Sequence, residues 1–340
     1  MMITPLDKLK VDHIFHMTDD TGMFQHCKYG VPDPTEGYTT DDNARALIMA
    51  VMFYHNKLEE KYLKLIYTYT SFLLNAQNDE GKFKNFMNYD RQFIEKEGSE
   101  DCFGRCLWAL GYTATNSKVP NNVKLTCKHM IRKALKNCSN IKFLRGKAYS
   151  IIGLQYIDDS KEYIEPLAES IFEEYNHHKD EEWKWYEDDI TYSNSILPWS
   201  MFISYRVLGK EKFLECAEES LSFLEKSTFK NWYYKPVGCN GWLEKGKEAE
   251  KYDEQPVEAA ETALTYITAY KLTKNVEYLS KAKQCHLWYK GENSKGKSLV
   301  DSENGGCYDG ITEKGINLNE GSESLISYFV SRLAIGEFIQ

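Results

Sequence analysis

The sequence predicts an all-α fold, an (α/α)6 barrel, in which six inner helices alternate with six outer ones. Three observations predict it. Stretches that are apolar on every side recur along the chain, and such a helix is one enclosed by protein. Each is followed by an amphipathic stretch with one polar side, as a helix lying on a surface has. Polar and acidic residues cluster just ahead of the apolar stretches, where helix N-termini fall.

The elements follow in chain order. From Asp42 the chain runs through Ala46-Leu-Ile-Met-Ala-Val-Met-Phe-Tyr54 as the first inner helix. Its outer partner, Leu58 to Gln77, sets Leu63, Leu65, Ile66, Phe72 and Leu73 among Glu, Lys and Thr. Asp101 to Gly111 is the second inner helix and Asn121 to Lys136 its outer partner. Lys147 to Leu154 and then Lys161 to Tyr175 form the third pair. The fourth inner helix begins near Leu197-Pro198, since proline is tolerated in a first helical turn, and Glu211 to Lys226 follows it. Pro256-Val-Glu-Ala-Ala-Glu-Thr-Ala263 opens the fifth in the same way, with Val276 to Tyr289 as partner. Glu320 to Phe329 is the sixth inner helix, and Leu6 to Met17 is expected to supply the missing sixth outer helix and close the chain on itself. Inner helix starts recur about every 45 to 65 residues, too long and irregular for a short solenoid repeat. No Pro/Gly/Ser-rich linker interrupts the chain, so residues 1–340 are expected to form one domain.

Composition narrows the function classes. With 42% hydrophobic residues and no apolar run near the ~18 to 20 of a membrane span, the chain is expected to be soluble and without a membrane partner. The opening Met-Met-Ile-Thr-Pro-Leu-Asp-Lys lacks the apolar core of a secretory signal, which predicts a cytoplasmic protein. The nine cysteines fall mostly in helices and show no zinc-ligand spacing, so neither a disulfide framework nor a metal is expected. A net charge of −9 without a basic cluster argues against nucleic acid. Phosphate-binding and dinucleotide glycine fingerprints are absent, and no cofactor is expected.

In a barrel of parallel inner helices all six N-termini lie at one end, so the polar residues before and within each first turn are expected to line one mouth. They are Tyr38, Asp41, Asp42, Asn43 and Arg45; Ser99, Glu100, Asp101 and Arg105; Arg145; Trp185, Tyr186, Glu187, Asp188, Asp189, Tyr192 and Asn194; Asp253, Glu254, Gln255 and Glu258; and Tyr308, Asp309, Asn319, Glu320 and Glu323. An acid at a helix start commonly caps free N–H groups. Capping alone does not explain acids recurring with Arg, Asn, Gln and aromatic residues at five of six starts. Successive helical residues point about 100° apart, so one acid of an adjacent pair faces inward while its neighbour braces. Asp42, Asp101, Asp188 and Glu258 are therefore the catalytic candidates, as general acid and base across a glycosidic bond. The others are candidate sugar contacts. Aromatic residues make up 14% of the chain, and Trp185, Trp232, Tyr233, Trp242 and Tyr308 fall in loops where they could stack on sugar faces.

Thr18-Asp-Asp-Thr-Gly-Met-Phe-Gln-His26, Gly37-Tyr-Thr-Thr-Asp-Asp-Asn-Ala-Arg45, Ser99-Glu-Asp-Cys-Phe-Gly-Arg105, Trp185-Tyr-Glu-Asp188 and Gln255-Pro-Val-Glu-Ala259 together resemble the six-hairpin glycosidase superfamily. More narrowly, they resemble a bacterial branch whose members occur alone or attached to glycosyltransferases. The resemblance spans nearly the whole chain and implies the (α/α)6 fold and a carbohydrate ligand, with a glycosyltransferase as partner in the alternative of an accessory module. Where the pattern has Tyr-Asp-Asn-Ala this chain has Tyr192-Ser-Asn-Ser195, which removes an acid and shifts weight to Glu187 or Asp188. Epimerases on this architecture look to paired histidines on inner helices. Here His129 and His286 fall on outer helices, His55 and His177/His178 at helix ends, and His13, His16 and His26 near the start, so epimerisation is not expected. The expected activity is metal-independent hydrolysis of a short oligosaccharide. The alternatives are a phosphorylase, for which Arg45, Arg105 and Arg145 would hold phosphate, and a non-catalytic glycan-binding module.

Overall fold

A computed structural model describes residues 3–338. Its helices are α1 (Asp12–His16), α2 (Thr40–Lys57), α3 (Glu60–Ala76), α4 (Glu100–Thr115), α5 (Asn121–Ala134), α6 (Leu144–Leu154), α7 (Lys161–His178), α8 (Ile196–Leu208), α9 (Glu211–Thr228), α10 (Pro256–Thr273), α11 (Val276–Tyr289) and α12 (Ser322–Gly336). The predicted alternation is present. Along α2, α4, α6, α8, α10 and α12 burial extends round the helix, whereas α3, α5 and α9 bury one side only. Among the described residues no helix is long and apolar enough to cross a membrane. All nine cysteines are free thiols, and all but Cys239 are buried.

The chain forms two compact units, Phe15–Ala168 and Met1–Ile14 with Glu169–Gln340. In the 15–168 unit, α4 packs against both α2 and α6. Thr39 caps α2 by accepting a hydrogen bond from the Asp42 N–H, and Ser99 caps α4 by accepting one from Cys102. Gly37, at φ +63°, makes the turn that brings Tyr38–Thr39 into antiparallel pairing with Phe86–Met87 just ahead of α2. The same glycine passes close to the Met87 carbonyl, where a side chain would not fit.

Helices α4 and α6 cross through glycines spaced seven apart on each, Gly104 and Gly111 facing Gly146 and Gly153. A Cβ at Gly153 would stand 2.5 Å from the Leu107 carbonyl carbon and from the Trp108 nitrogen. In an open helix, replacing glycine with alanine is worth about 1 kcal/mol of stabilisation. Here overpacking, typically about 1–3 kcal/mol, reverses the sign. Gly153→Ala is therefore expected to lower the midpoint of thermal unfolding; an unchanged or raised midpoint would show that the two helices separate freely.

In the 169–340 unit, α10 lies against α8, α11 and α12. Short antiparallel ladders precede the buried helices: Asp189–Ile190 with Leu243–Glu244, Phe229–Lys230 with Tyr233–Tyr234, and Gly310–Thr312 with Gly315–Asn317. The single helix expected over Leu6 to Met17 is replaced by a 3-10 turn, Leu6–Lys8, and the short α1. Side chains take over the anchoring. The Arg332 guanidinium on α12 donates from Nε to the Thr4 carbonyl at 2.7 Å, and the His13 backbone N–H donates to the Asn304 carbonyl at 3.1 Å.

Candidate active site

In the 15–168 unit the first turn of α2 carries a charged cluster. Asp42 accepts a hydrogen bond at 2.6 Å from the Thr39 hydroxyl and one at 2.9 Å from Arg45 Nη2. Asp41 accepts one at 2.5 Å from Arg105 Nη1, and Arg45 Nε lies 3.5 Å from its other oxygen. Burial alone would raise the Asp41 pKa, but the Arg105 and Arg45 guanidiniums outweigh it and hold the carboxyl below its ordinary value. Arg105 is held in turn by Tyr149: Nη2 donates to the hydroxyl at 2.7 Å and the guanidinium lies over the ring at 4.5 Å. Thus Tyr149, on α6 and not singled out in the sequence, completes the cluster formed by the predicted Asp41, Asp42, Arg45 and Arg105. Tyr38, also predicted, is buried, with its hydroxyl donating to Asp19 at 2.6 Å.

Glu100 was expected to contact substrate. Its carboxylate instead accepts the Lys142 and Phe143 backbone N–H groups at 2.8 and 2.7 Å, capping the entry to α6. Asp101 lies in the first turn of α4 and is half-buried, and Arg145 is buried in the first turn of α6.

In the 169–340 unit Glu258, in the first turn of α10, is 5% exposed. One of its oxygens accepts the Ser193 N–H, and the other accepts Asn194 Nδ2 at 3.1 Å and the Asn194 N–H at 3.3 Å. The predicted Asn194 is therefore joined to the predicted Glu258. Burial pushes the Glu258 carboxyl up to about 7, and Glu261, one turn along α10, adds to the rise against those donors. Glu261 was missed because only the helical spacing of three, seen together with burial, marks it.

Glu320 lies before the first residue of α12, which starts at Ser322 rather than at Glu320. Its Oε2 accepts a hydrogen bond from Asn304 Nδ2 at 3.0 Å, and its backbone carbonyl accepts one from His13 Nε2 at 2.9 Å. Burial raises its carboxyl to about 7; the Asn304 hydrogen bond opposes the rise, and Asp301 and Asp309 add to it. The predicted Asp309 caps α12, accepting the Gly321 N–H and the Ser324 hydroxyl at 2.6 Å each. Tyr308 and Glu323 are half-buried nearby in sequence, and burial raises the Tyr308 phenol. Buried Glu254, from the same predicted segment as Glu258, accepts a hydrogen bond at 2.8 Å from Trp288 Nε1 and another from the Ser294 hydroxyl; burial raises its pKa.

Two expectations for the fourth segment are corrected. Trp185 is fully buried against Tyr186 and Phe223, leaving no ring face for a sugar. Asp188 is exposed and accepts from His178 Nδ1 at 3.1 Å, an interaction that lowers its pKa and ties it to the end of α7. An exposed ion pair does not provide the desolvated setting in which a carboxyl is tuned for catalysis. Glu187 is half-buried and gives its carbonyl to Trp183 Nε1 at 2.7 Å, Tyr192 is exposed, and Gln255 donates to the Asp253 carbonyl at 3.3 Å. Among the described residues no group of three or more His, Cys, Asp or Glu could hold a metal ion.

No family profile and no curated protein sequence matches the chain. Solved structures do match it in fold. Cellobiose 2-epimerase from Bacillus thermoamylovorans superposes with a TM-score of 0.75 at 13% identity, over 98% of this chain and 97% of that one. Cellobiose 2-epimerase from Spirochaeta thermophila superposes with a TM-score of 0.72 at 15% identity, over 96% and 92%. An α-1,6-mannanase of Salegentibacter superposes with a TM-score of 0.61 at 13% identity, over 96% of each chain. It was solved as an inactive variant, two successive aspartates changed to asparagine, with α-1,6-mannotriose. The chain has the all-α, (α/α)6 barrel fold of these proteins, and its resemblance to the six-hairpin glycosidase superfamily holds at the level of the fold.

Proposed function

We propose that the chain is a carbohydrate-active enzyme, a glycoside hydrolase acting on a short oligosaccharide. The observation that carries the reading is the tuning of its buried acids. Hydrolysis of a glycosidic bond needs one carboxyl that gives a proton to the leaving oxygen and one carboxylate that takes a proton from water or attacks the sugar. Glu258, raised to about 7, has the property required of the first. Asp42, paired with Arg45, is assigned the second, and Asp41 braces it through the same guanidinium. Each role is read from that residue's own surroundings and is tested by its own substitution. A fold neighbour inactivated by losing two successive aspartates adds support, since Asp41 and Asp42 are also successive.

Epimerisation is the second reading, favoured by the two cellobiose 2-epimerases among the fold neighbours. Against it, α4, α6, α8, α10 and α12 contain no histidine, and the one on α2, His55, lies in the last turn. Incubation in D2O with cellobiose, α-1,6-mannotriose and a wider panel of neutral oligosaccharides, read by mass spectrometry, decides between them. Shortened sugars without deuterium on carbon, lost with Asp42→Asn, are expected. An epimer that gains carbon-bound deuterium establishes the second reading. A sugar phosphate formed only with added phosphate establishes a phosphorylase, and unchanged sugars that still bind identify a glycan-binding module.

A further inference from the structure

A concave site lies within the 169–340 unit beside buried Glu254, whose hydrogen-bond donor Ser294 is among its lining residues. It is a cavity of about 600 Å³, in the range of small-molecule sites, and it is lined by six lysines: Lys226, Lys230, Lys235, Lys247, Lys251 and Lys295. Only two acids, Glu248 and Glu250, share the lining, in a chain whose net charge is −9. The lysines come from the end of α9, the Phe229–Tyr234 hairpin, the loop ahead of α10 and the loop after α11. The sequence therefore does not display them as a cluster.

Two of the ammonium groups have protein partners: Lys247 pairs with Glu244, and Lys295 donates to the Glu313 carbonyl at 2.9 Å while lying 4.8 Å from the centre of the Tyr252 ring. Among the described residues Lys226, Lys230, Lys235 and Lys251 form no ion pair. Lys235 is half-buried, and its pKa is lowered first by burial and then by Lys230 and Lys251, against the pull of Glu254. Like charges gathered in one concavity repel each other, and a bound anion relieves that repulsion. Aromatic surface adjoins the charge. Tyr233 and Tyr252 line the cavity, and Trp232, 58% exposed, rests edge-on against Tyr233 with ring centroids 5.1 Å apart.

We propose that this pocket binds the anionic group, phosphate or carboxylate, of a substituted sugar, with the lysines holding the anion and the aromatic rim stacking on the ring. The anion site stands by itself; the sugar part rests on the carbohydrate reading. The test titrates the intact protein with inorganic phosphate, glucose 6-phosphate, glucuronate and glucose, following tryptophan fluorescence and calorimetric heat. Lys230→Gln/Lys251→Gln is the comparison. Both positions are exposed, and circular dichroism and thermal unfolding verify that the variant folds.

Saturable binding of glucose 6-phosphate or glucuronate is expected, but not of glucose. It should weaken at least about tenfold in the variant, through lost charge-assisted hydrogen bonds, and fall between about 50 and about 500 mM salt. The stronger of the two anionic sugars identifies phosphate or carboxylate as the recognised group. No saturable anion binding, or binding equal in the variant, overturns the proposal. Anion binding lost in the variant, in a protein that turns over no oligosaccharide, keeps the pocket and removes only the hydrolytic reading.

Discussion

Replacing Arg105 with methionine is expected to destabilise the folded chain by about 3 kcal/mol, at the lower end of what loss of one partner of a buried ion pair costs. The substitution keeps much of the side-chain length and removes the charge. Asp41 then keeps only Arg45, at 3.5 Å, and Tyr149 loses both the 2.7 Å hydrogen bond and the guanidinium over its ring. Side-chain exposures of 7% for Arg105 and 20% for Asp41 leave little water to replace the lost contact. The thermal midpoint should fall by roughly 4 °C for a chain of this size. Adding Asp41→Asn should recover part of the loss, because the uncompensated charge is then gone, and such non-additivity is the signature of direct coupling. If the single variant unfolds within a degree of the wild type, the cluster carries no stability and its purpose is electrostatic positioning alone.

How far the sequence could be read differs between fold and site, for a physical reason. Helices such as α2 and α10 are enclosed over most of their length, so apolar residues fall on every side of them and local pattern reports burial. The N-terminal stretch shows the limit of that logic. Its apolar residues suit one helix, yet the chain forms a 3-10 turn at Leu6–Lys8 and the short α1, anchored by Arg332 at Thr4 and by the Asn304 carbonyl at His13. A carboxylate's partners could not be read from the sequence where they lie far along the chain. Nothing near Glu100 says that its oxygens are taken by Lys142 and Phe143, nor near Glu258 that Ser193 and Asn194 donate to it. At both acids the carboxylate accepts backbone N–H groups at the entry of another buried helix, α6 for Glu100 and α8 for Glu258. Trp185 and Asp188 take the places that residue type alone suggests, the aromatic ring buried and the acid exposed, and not the shared place at a sugar site, because the short Asp189–Ile190 ladder and the end of α7 fix that loop.

Glu258→Gln separates chemistry from architecture most sharply. The folded-state pKa of Glu258, about 7, lies above the ordinary 4.5, so the folded chain binds the proton more tightly than the unfolded chain. Its stabilising contribution is complete below pH 4.5 and is lost as pH rises through about 7. That loss amounts to about 3 kcal/mol at alkaline pH. Glutamine does not titrate, and it offers one acceptor oxygen where Ser193 and Asn194 present three donors. At pH 5 the variant is expected to be less stable than wild type by about 1–2 kcal/mol, the cost of an unsatisfied buried donor. At pH 8 the difference should narrow or reverse, although Glu320 titrates in the same range in both proteins. As proton donor, Glu258 requires kcat to fall about 10²–10⁴-fold in the variant. An interaction made only in the transition state leaves KM nearly unchanged, and wild-type turnover should decline as pH rises above about 7. A variant that keeps its kcat while showing the stability crossover makes Glu258 a clamp on the entry to α8, and the proton-donor assignment then moves to Glu320, the other buried carboxyl raised to about 7.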